Sequence, residues 1–330
     1  MKLLKFLVLI PLIFFSTCKK PEEEEKLDLM VLKAAETNAP DFPTTQGLSF
    51  IGKYLEGRTS GRIKLEIYPA SKFGGETESI EQVQAGALDL ARVNVAPASE
   101  FSKTLGVLSL PYLFQDREHL HRVIDGEIGT QLLKDLEKQE LIGLGFYEAG
   151  VRNLYNRVRP IKTPADLKGL NIRVQKSEVM AEMIKTLGAE PAQMSFDDVY
   201  DALQAGSIDG AENDLPSYYS ARHYELAKYY SRDQHSMPPD LIVFSKKTWE
   251  KLSEPDRRLI LEAVQLSIPF QLGQWREFEA KTENELKQAG VIFNEVENIA
   301  AFKDALKPMY DKYLADPELK PLVEEIRAVK

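Results

Sequence analysis

Hydrophobic and polar positions alternate along this chain in two periods that take turns. Leu29 and Val31 open a strand-like run within 28–37. Leu48, Ile51 and Leu55, with Phe50 and Tyr54, have helical spacing that stops at Gly57 or Gly61. Ile63, Leu65 and Ile67 then alternate with Lys64, Glu66 and Tyr68 as a second strand. A helix over 76–85 stops at Gly86, and 88–93 is extended. Further on, Thr163 caps a short helix with Pro164 at its first position and Gly169 as its stop. Leu170, Ile172 and Val174 next alternate with Asn171, Arg173 and Gln175, the period of a half-buried strand. Residues 241–244 read as a hydrophobic strand. Helical pattern covers 245–252 and 256–263 and continues over 265–286, broken only by Pro269 and Gly273, long enough to run behind more than one lobe. Amphipathic helix returns over 300–313 and 317–328. Strands alternating with helices in this way predict an α/β fold.

One segment repeats. The eight residues QAGALDLA ending at Ala91 return as QAGSIDGA ending at Ala211, with five positions identical. Each copy follows an acidic amphipathic helix, so a glycine-stopped helix, a turn and a strand occur twice. Similarity by chance at a common junction is one explanation. Two related lobes are the other, and they would leave a cleft between them where small molecules preferentially bind.

A chain of 330 residues is long enough for two domains with substantial cores. Its 43% hydrophobic and 28% charged content is ordinary for a globular protein. A formal net charge of −9 argues against nucleic acid, and no basic aromatic run offsets it. It leaves room for an anionic ligand, since a pocket can be positive beneath a negative surface. Lys2 and Lys5 precede an apolar run through Phe15, then Ser16, Thr17 and Cys18, which is the plan of a signal peptide over 1–18. The apolar run is too short to span a bilayer as a mature helix. Cys18 is the sole cysteine, so no intrachain disulfide exists. A lone cysteine ending a leader looks like a bacterial lipidation site, although Phe15 and Thr17 depart from the usual box. Residues 19–26, with Lys19, Lys20, Pro21 and the acidic run 22–25, read as a solvated tether.

The stretch 150–213 concentrates the candidate chemistry. Arg173 projects from the polar face of its strand, Arg152 ends the run before Leu154 and Tyr155, and Asn213 closes the segment with an amide. A guanidinium is a planar, permanently charged fork that matches a carboxylate bidentately. On spacing alone an ordinary arginine paired with a surface acid explains Arg173 as well. No P-loop, G-x-S-x-G or H-E-x-x-H is present. Of His119, His121, His223 and His235 only the first two are close in sequence, which is poor support for zinc. The absence of a catalytic signature in a secreted two-lobed chain favours a binder over an enzyme.

With these residues in hand the chain resembles the substrate-binding proteins of tripartite ATP-independent periplasmic (TRAP) transporters. The motifs are GRIKLEIYPASKFGGETESIEQVQAGALDLA, LSLPYLFQD, RPIKTPADLKGLNIRV, GAEPAQMSFDDVYDALQAGSIDGAEN and HYELAKYYS. The resemblance implies a two-lobed α/β periplasmic binding protein fold with a hinge and a long helix spanning both lobes. Lobe I would be 27–149 plus 240–278, and lobe II 150–239 plus 279–330. By the same resemblance Arg173 grips the ligand carboxylate, Arg152 is a second basic contact and Asn213 orients the carboxylate. Glu76 would face the remote end of the ligand, with Asn94, Phe196 and His235 at pocket positions. No metal or cofactor is implied. The partners implied are a small organic acid and the membrane subunits of a sodium-coupled TRAP permease, with the chain a lipid-anchored periplasmic monomer. The segment from Asp209 to His235 is most similar to the branch associated with sugar acids such as uronates, with Asp214 departing from the Asn or Pro often found there. A C4-dicarboxylate would need a second cation at the far end, where Glu76 would repel it. A sugar acid is therefore favoured, with C4-dicarboxylate binding and a periplasmic enzyme acting on sugar acids as alternatives.

Overall fold

The computed structural model describes residues 29–330, so the leader, Cys18 and the tether lie outside the described residues. Eleven strands occur among them: β1 (Met30–Ala35), β2 (Ile63–Tyr68), β3 (Leu90–Asn94), β4 (Leu141–Tyr147), β5 (Arg152–Asn156), β6 (Asn171–Val174), β7 (Glu190–Gln193), β8 (Gly210–Asn213), β9 (Tyr229–Ser236), β10 (Asp240–Ser245) and β11 (Ile292–Glu295). They form two sheets, of order β2-β1-β3-β10-β4 and β11-β9-β5-β8-β6-β7. β1 is parallel to β2 and β3, while β10 runs antiparallel between β3 and β4. All six residues of β10 are buried, as its unbroken Leu-Ile-Val-Phe run requires of a strand covered on both faces.

The chain thus leaves the first sheet after β4, builds most of the second, and returns as β10. The two crossings lie side by side, because Asp240 pairs with Tyr147 and Arg152 pairs with Ser236. Such paired connections form a hinge. Gln271 clamps one of them, accepting from the Glu148 N–H at 3.2 Å and donating to the Glu148 carbonyl at 2.9 Å. Gly150 on this crossing has φ +71°, and a Cβ there would lie 2.7 Å from the Trp275 ring, so only glycine fits.

Gln271 and Trp275 belong to one helix, Glu254–Gln288, capped by the Ser253 hydroxyl. Ile260, Ala263 and Val264 pack into the core over the first sheet with Leu48, Ile51 and Leu55. At the other end Leu286 joins Tyr155, Leu215 and Tyr230 in the second lobe. The helix therefore spans both lobes. The repeated segments also match in structure: Gly86 and Gly206 stop their helices at φ 76° and 75°. The C-terminal stretch touches both lobes: the Tyr310 hydroxyl donates to the Pro111 carbonyl at 2.7 Å while Lys312 pairs with Glu182 at 2.8 Å.

Candidate functional site

Between the lobes lies a pocket with side chains of both lobes in its wall. Arg173, Arg152, Asn213, Glu76, Asn94 and Phe196 all line it. His235, expected beside them, does not. It is fully buried one layer behind, with Nδ1 2.9 Å from Asp233 Oδ2 and Nε2 3.3 Å from Glu212 Oε2.

Arg173 enters from β6 and is 2% exposed, so the polar face of that strand looks into the cavity rather than into solvent. Its Nε and Nη2 donate to the Met194 carbonyl at 3.1 and 2.8 Å. A guanidinium has five N–H groups. Both protons of Nη1 and one of Nη2 therefore remain for a ligand, and no carboxylate among the described residues ion-pairs with it. Burial draws its pKa down. This is a desolvated charge awaiting a counter-ion.

Arg152 is differently placed. Its Nε donates to Glu212 Oε2 at 2.5 Å, Nη2 to Glu212 Oε1 at 2.8 Å, and Nη1 to Asn213 Oδ1 at 2.6 Å. Burial opposes ionisation of Glu212, but Arg152 and His235 outweigh it and hold the carboxyl at about 2. Burial likewise opposes a charged His235, yet Asp233 and Glu212 hold it up at about 9. Asp233, His235, Glu212 and Arg152 thus alternate in sign and cancel formally. Arg152 is an already neutralised contact with one N–H to spare, and Asn213 keeps its amide N–H groups free of protein partners.

The opposite wall carries a charge cluster that the sequence did not reveal. Arg92, on β3, bonds Glu36 and Thr37, donates to Glu76 Oε1 at 2.8 Å, and lies 3.4 Å from Asp240 Oδ2. Asn94 lines the cavity, and its amide donates to Pro238, Pro239 and Asp240 while its oxygen caps the helix Val95–Ala98. Its polar atoms therefore brace the second crossing. Phe42 and Trp275 meet edge to face at 5.7 Å along one flank, with half-buried Phe196 on another. Gln175, on the same strand face as Arg173, presents a buried amide oxygen with no protein partner. The period-2 pattern already placed it there.

The lobes touch across the cleft. Lys176 pairs with Glu78 at 2.7 Å, and the Glu178 N–H at a helix start donates to Glu100 at 3.1 Å. The form described is closed. No group of histidine, cysteine and carboxylate side chains among the described residues could hold a metal ion, and no helix among them is long and apolar enough to cross a membrane.

Residues 34–316 match the family model of bacterial extracellular solute-binding protein, family 7. The chain belongs to this family. A solute-binding protein of Chromohalobacter salexigens is 37% identical over 289 residues, covering 87% of this chain and 86% of the relative. Among solved structures, a TRAP periplasmic solute binding protein from a Bradyrhizobium species, in complex with D-galacturonate, superposes with TM-score 0.87 at 40% identity, covering 90% of this chain and 99% of its own. One from C. salexigens with bound D-glucuronate gives TM-score 0.88 at 35% identity, covering 91% and 100%. The two-lobed fold is therefore that of the TRAP solute-binding proteins, and members of this family bind solutes for transport.

Proposed function

We propose that this protein captures a six-carbon sugar acid of the uronate class, without turning it over, and delivers it to a sodium-coupled TRAP permease. The observation that carries the reading is the free edge of Arg173, a buried guanidinium with three unclaimed N–H groups in the wall of the interlobe pocket. A monocarboxylate satisfies it bidentately. Asn213 and the spare N–H of Arg152 stand beside it as further donors. The ring faces of a pyranose suit Phe42, Trp275 and Phe196, and its hydroxyls suit the acceptor-rich wall of Glu76 and Asp240. The uronates held by the two solved relatives support the same class.

In this reading the open form meets the carboxylate on the second lobe and closes about the paired crossings, with Lys176 and Glu78 meeting as the cleft shuts. Delivery in the periplasm and lipid attachment through Cys18 belong to the same proposal. A thermal-shift panel of uronates, aldonates and C4-diacids tests it, because a ligand of the native state alone raises the midpoint. D-glucuronate or D-galacturonate raising it by several degrees, and recovered unchanged, supports the proposal. A rise with succinate or malate but with no sugar acid overturns the ligand class, and conversion of a uronate to a product overturns the binder reading.

A further inference from the structure

Opposite Arg173 the cavity already holds the second cation that a dicarboxylate would need, and that cation is already committed to carboxylates of the protein. Arg92 spends Nε and one Nη2 proton on Glu36, the other Nη2 proton on Thr37 Oγ1 at 2.6 Å, and one Nη1 proton on Glu76 at 2.8 Å, while Asp240 Oδ2 lies in ionic contact 3.4 Å from Nη1. One guanidinium faces three carboxylates, a formal excess of two negative charges. We infer that Glu76 and Asp240 are the specificity-determining residues that make this site refuse a second carboxylate. The inference rests on the uronate reading above and adds which residues set its selectivity.

The two side chains are placed for this. Both line the cavity, whereas Glu36 sits behind them, fully enclosed and held by the Thr44 hydroxyl at 3.0 Å. One oxygen of Glu76 takes the Arg92 and Asn94 N–H groups, and its other oxygen has no protein partner. Asp240 takes the Asn94 amide on one oxygen at 2.9 Å and offers the other toward Arg92. A hydroxyl at the far end of the ligand donates to such oxygens. A carboxylate brought there repels them. Burial, with Glu76 and Glu36 nearby, pushes the Asp240 carboxyl up to about 7, which leaves an excess of one negative charge even with Asp240 protonated. At about 6 Å and an effective dielectric near 20, each unit of excess charge weakens a second carboxylate on the order of a hundredfold.

D-glucuronate and D-glucarate share the carboxylate at C6 and differ at C1, where glucarate has a second carboxylate and cannot close the pyranose ring, so the change of their ratio in a variant, not the ratio itself, reads this end. Calorimetric titration of both acids into wild type and Glu76→Gln/Asp240→Asn reads the effect. Each amide keeps an oxygen for the Asn94 bond and removes one charge. Wild type is expected to prefer glucuronate by about a hundredfold or more, and the double variant to narrow that ratio about tenfold or more by tightening glucarate. A ratio unchanged within about twofold, or narrowed only through weaker glucuronate, overturns the inference while leaving the uronate reading in place. Should the double variant fail to fold, Glu76→Gln alone is titrated, with narrowing of about tenfold or more again expected and none overturning it. Wild type binding neither acid brings down the uronate reading and this inference with it.

Discussion

Arg173 gives its Nε and Nη2 to a single acceptor, the carbonyl of Met194, at 3.1 and 2.8 Å. One edge of the guanidinium is thus fixed by the backbone, and the terminal edge is kept for the ligand. A charge buried without a counter-ion costs stability, so the site holds Arg173 at the expense of the empty protein. Arg173→Met is therefore expected to raise the uronate dissociation constant at least about a hundredfold, while the ligand-free midpoint stays level or rises. Titration and scanning calorimetry together check this. A lower midpoint with affinity retained would mark Arg173 as structural.

Behind Arg152 the alternating chain Asp233–His235–Glu212 sets its orientation. Truncating the imidazole leaves Glu212 with one cationic partner instead of two. His235→Ala is expected to weaken uronate binding about tenfold, through Arg152 rather than through contact, because His235 does not touch the cavity. The distinguishing readout is the crystal structure of the variant: a shifted Arg152 is expected, and an unmoved one with weak binding contradicts the account.

The same chain makes stability depend on pH. His235 is held at about 9 against its ordinary 6.5, and His121, beside Asp125 and Glu148, is also raised to about 9. The folded protein keeps protons that the unfolded chain has released, so this stabilisation is complete below about 6.5 and fades as pH rises through 9. His223, pushed down to about 3 by burial, has the opposite sign, but its contribution is constant above 6.5. The expected result is a midpoint that falls between pH 6.5 and 9 by the equivalent of up to about 3 kcal/mol from the buried His235, with a smaller share from the solvent-screened His121. Denaturant titrations at three pH values check it, and His235→Gln should flatten the curve.

Closure is secured lightly. Lys176 and Glu78 meet across the cleft at 2.7 Å, but their side chains are 38% and 41% exposed. An exposed pair of this kind is worth less than about 1 kcal/mol. Glu78→Gln should therefore quicken ligand release by no more than about fivefold, an effect that high salt erases. Stopped-flow fluorescence of Trp275 in the cavity wall reads it.

How much of this could be read from the chain alone varies with the kind of signal. Local signals were plain: Gly86 and Gly206 stopped their helices, Thr163 capped the short helix that opens at Pro164, and the period-2 run put Arg173 and Gln175 on one face. β5 escaped that rule because all five of its residues are buried, which removes any alternation. β4 was hidden by Gly143 and Gly145. A Cβ at either would press on Leu133 or Val264 at 2.8 and 3.2 Å, so glycine is there to admit packing helices. The Arg92 cluster draws its members from β3, β10, the end of β1 and a helix start, so no spacing could show it. One faint signal existed. Carrying the repeated segment one residue further aligns Arg92 with Glu212, each a buried charge paired to its opposite, and three residues further aligns Asn94 with Asp214, each a helix cap.

The central claim is that a ligand carboxylate completes Arg173 in the wall of the interlobe pocket. A crystal structure of the protein with D-glucuronate measures this directly. The account predicts the C6 carboxylate in hydrogen-bonding range of Arg173 Nη1 and Nη2, with the hydroxyl-bearing end toward Glu76 and Asp240. A sugar bound with its carboxylate at the Arg92 wall, or with Arg173 left without an anion, contradicts it.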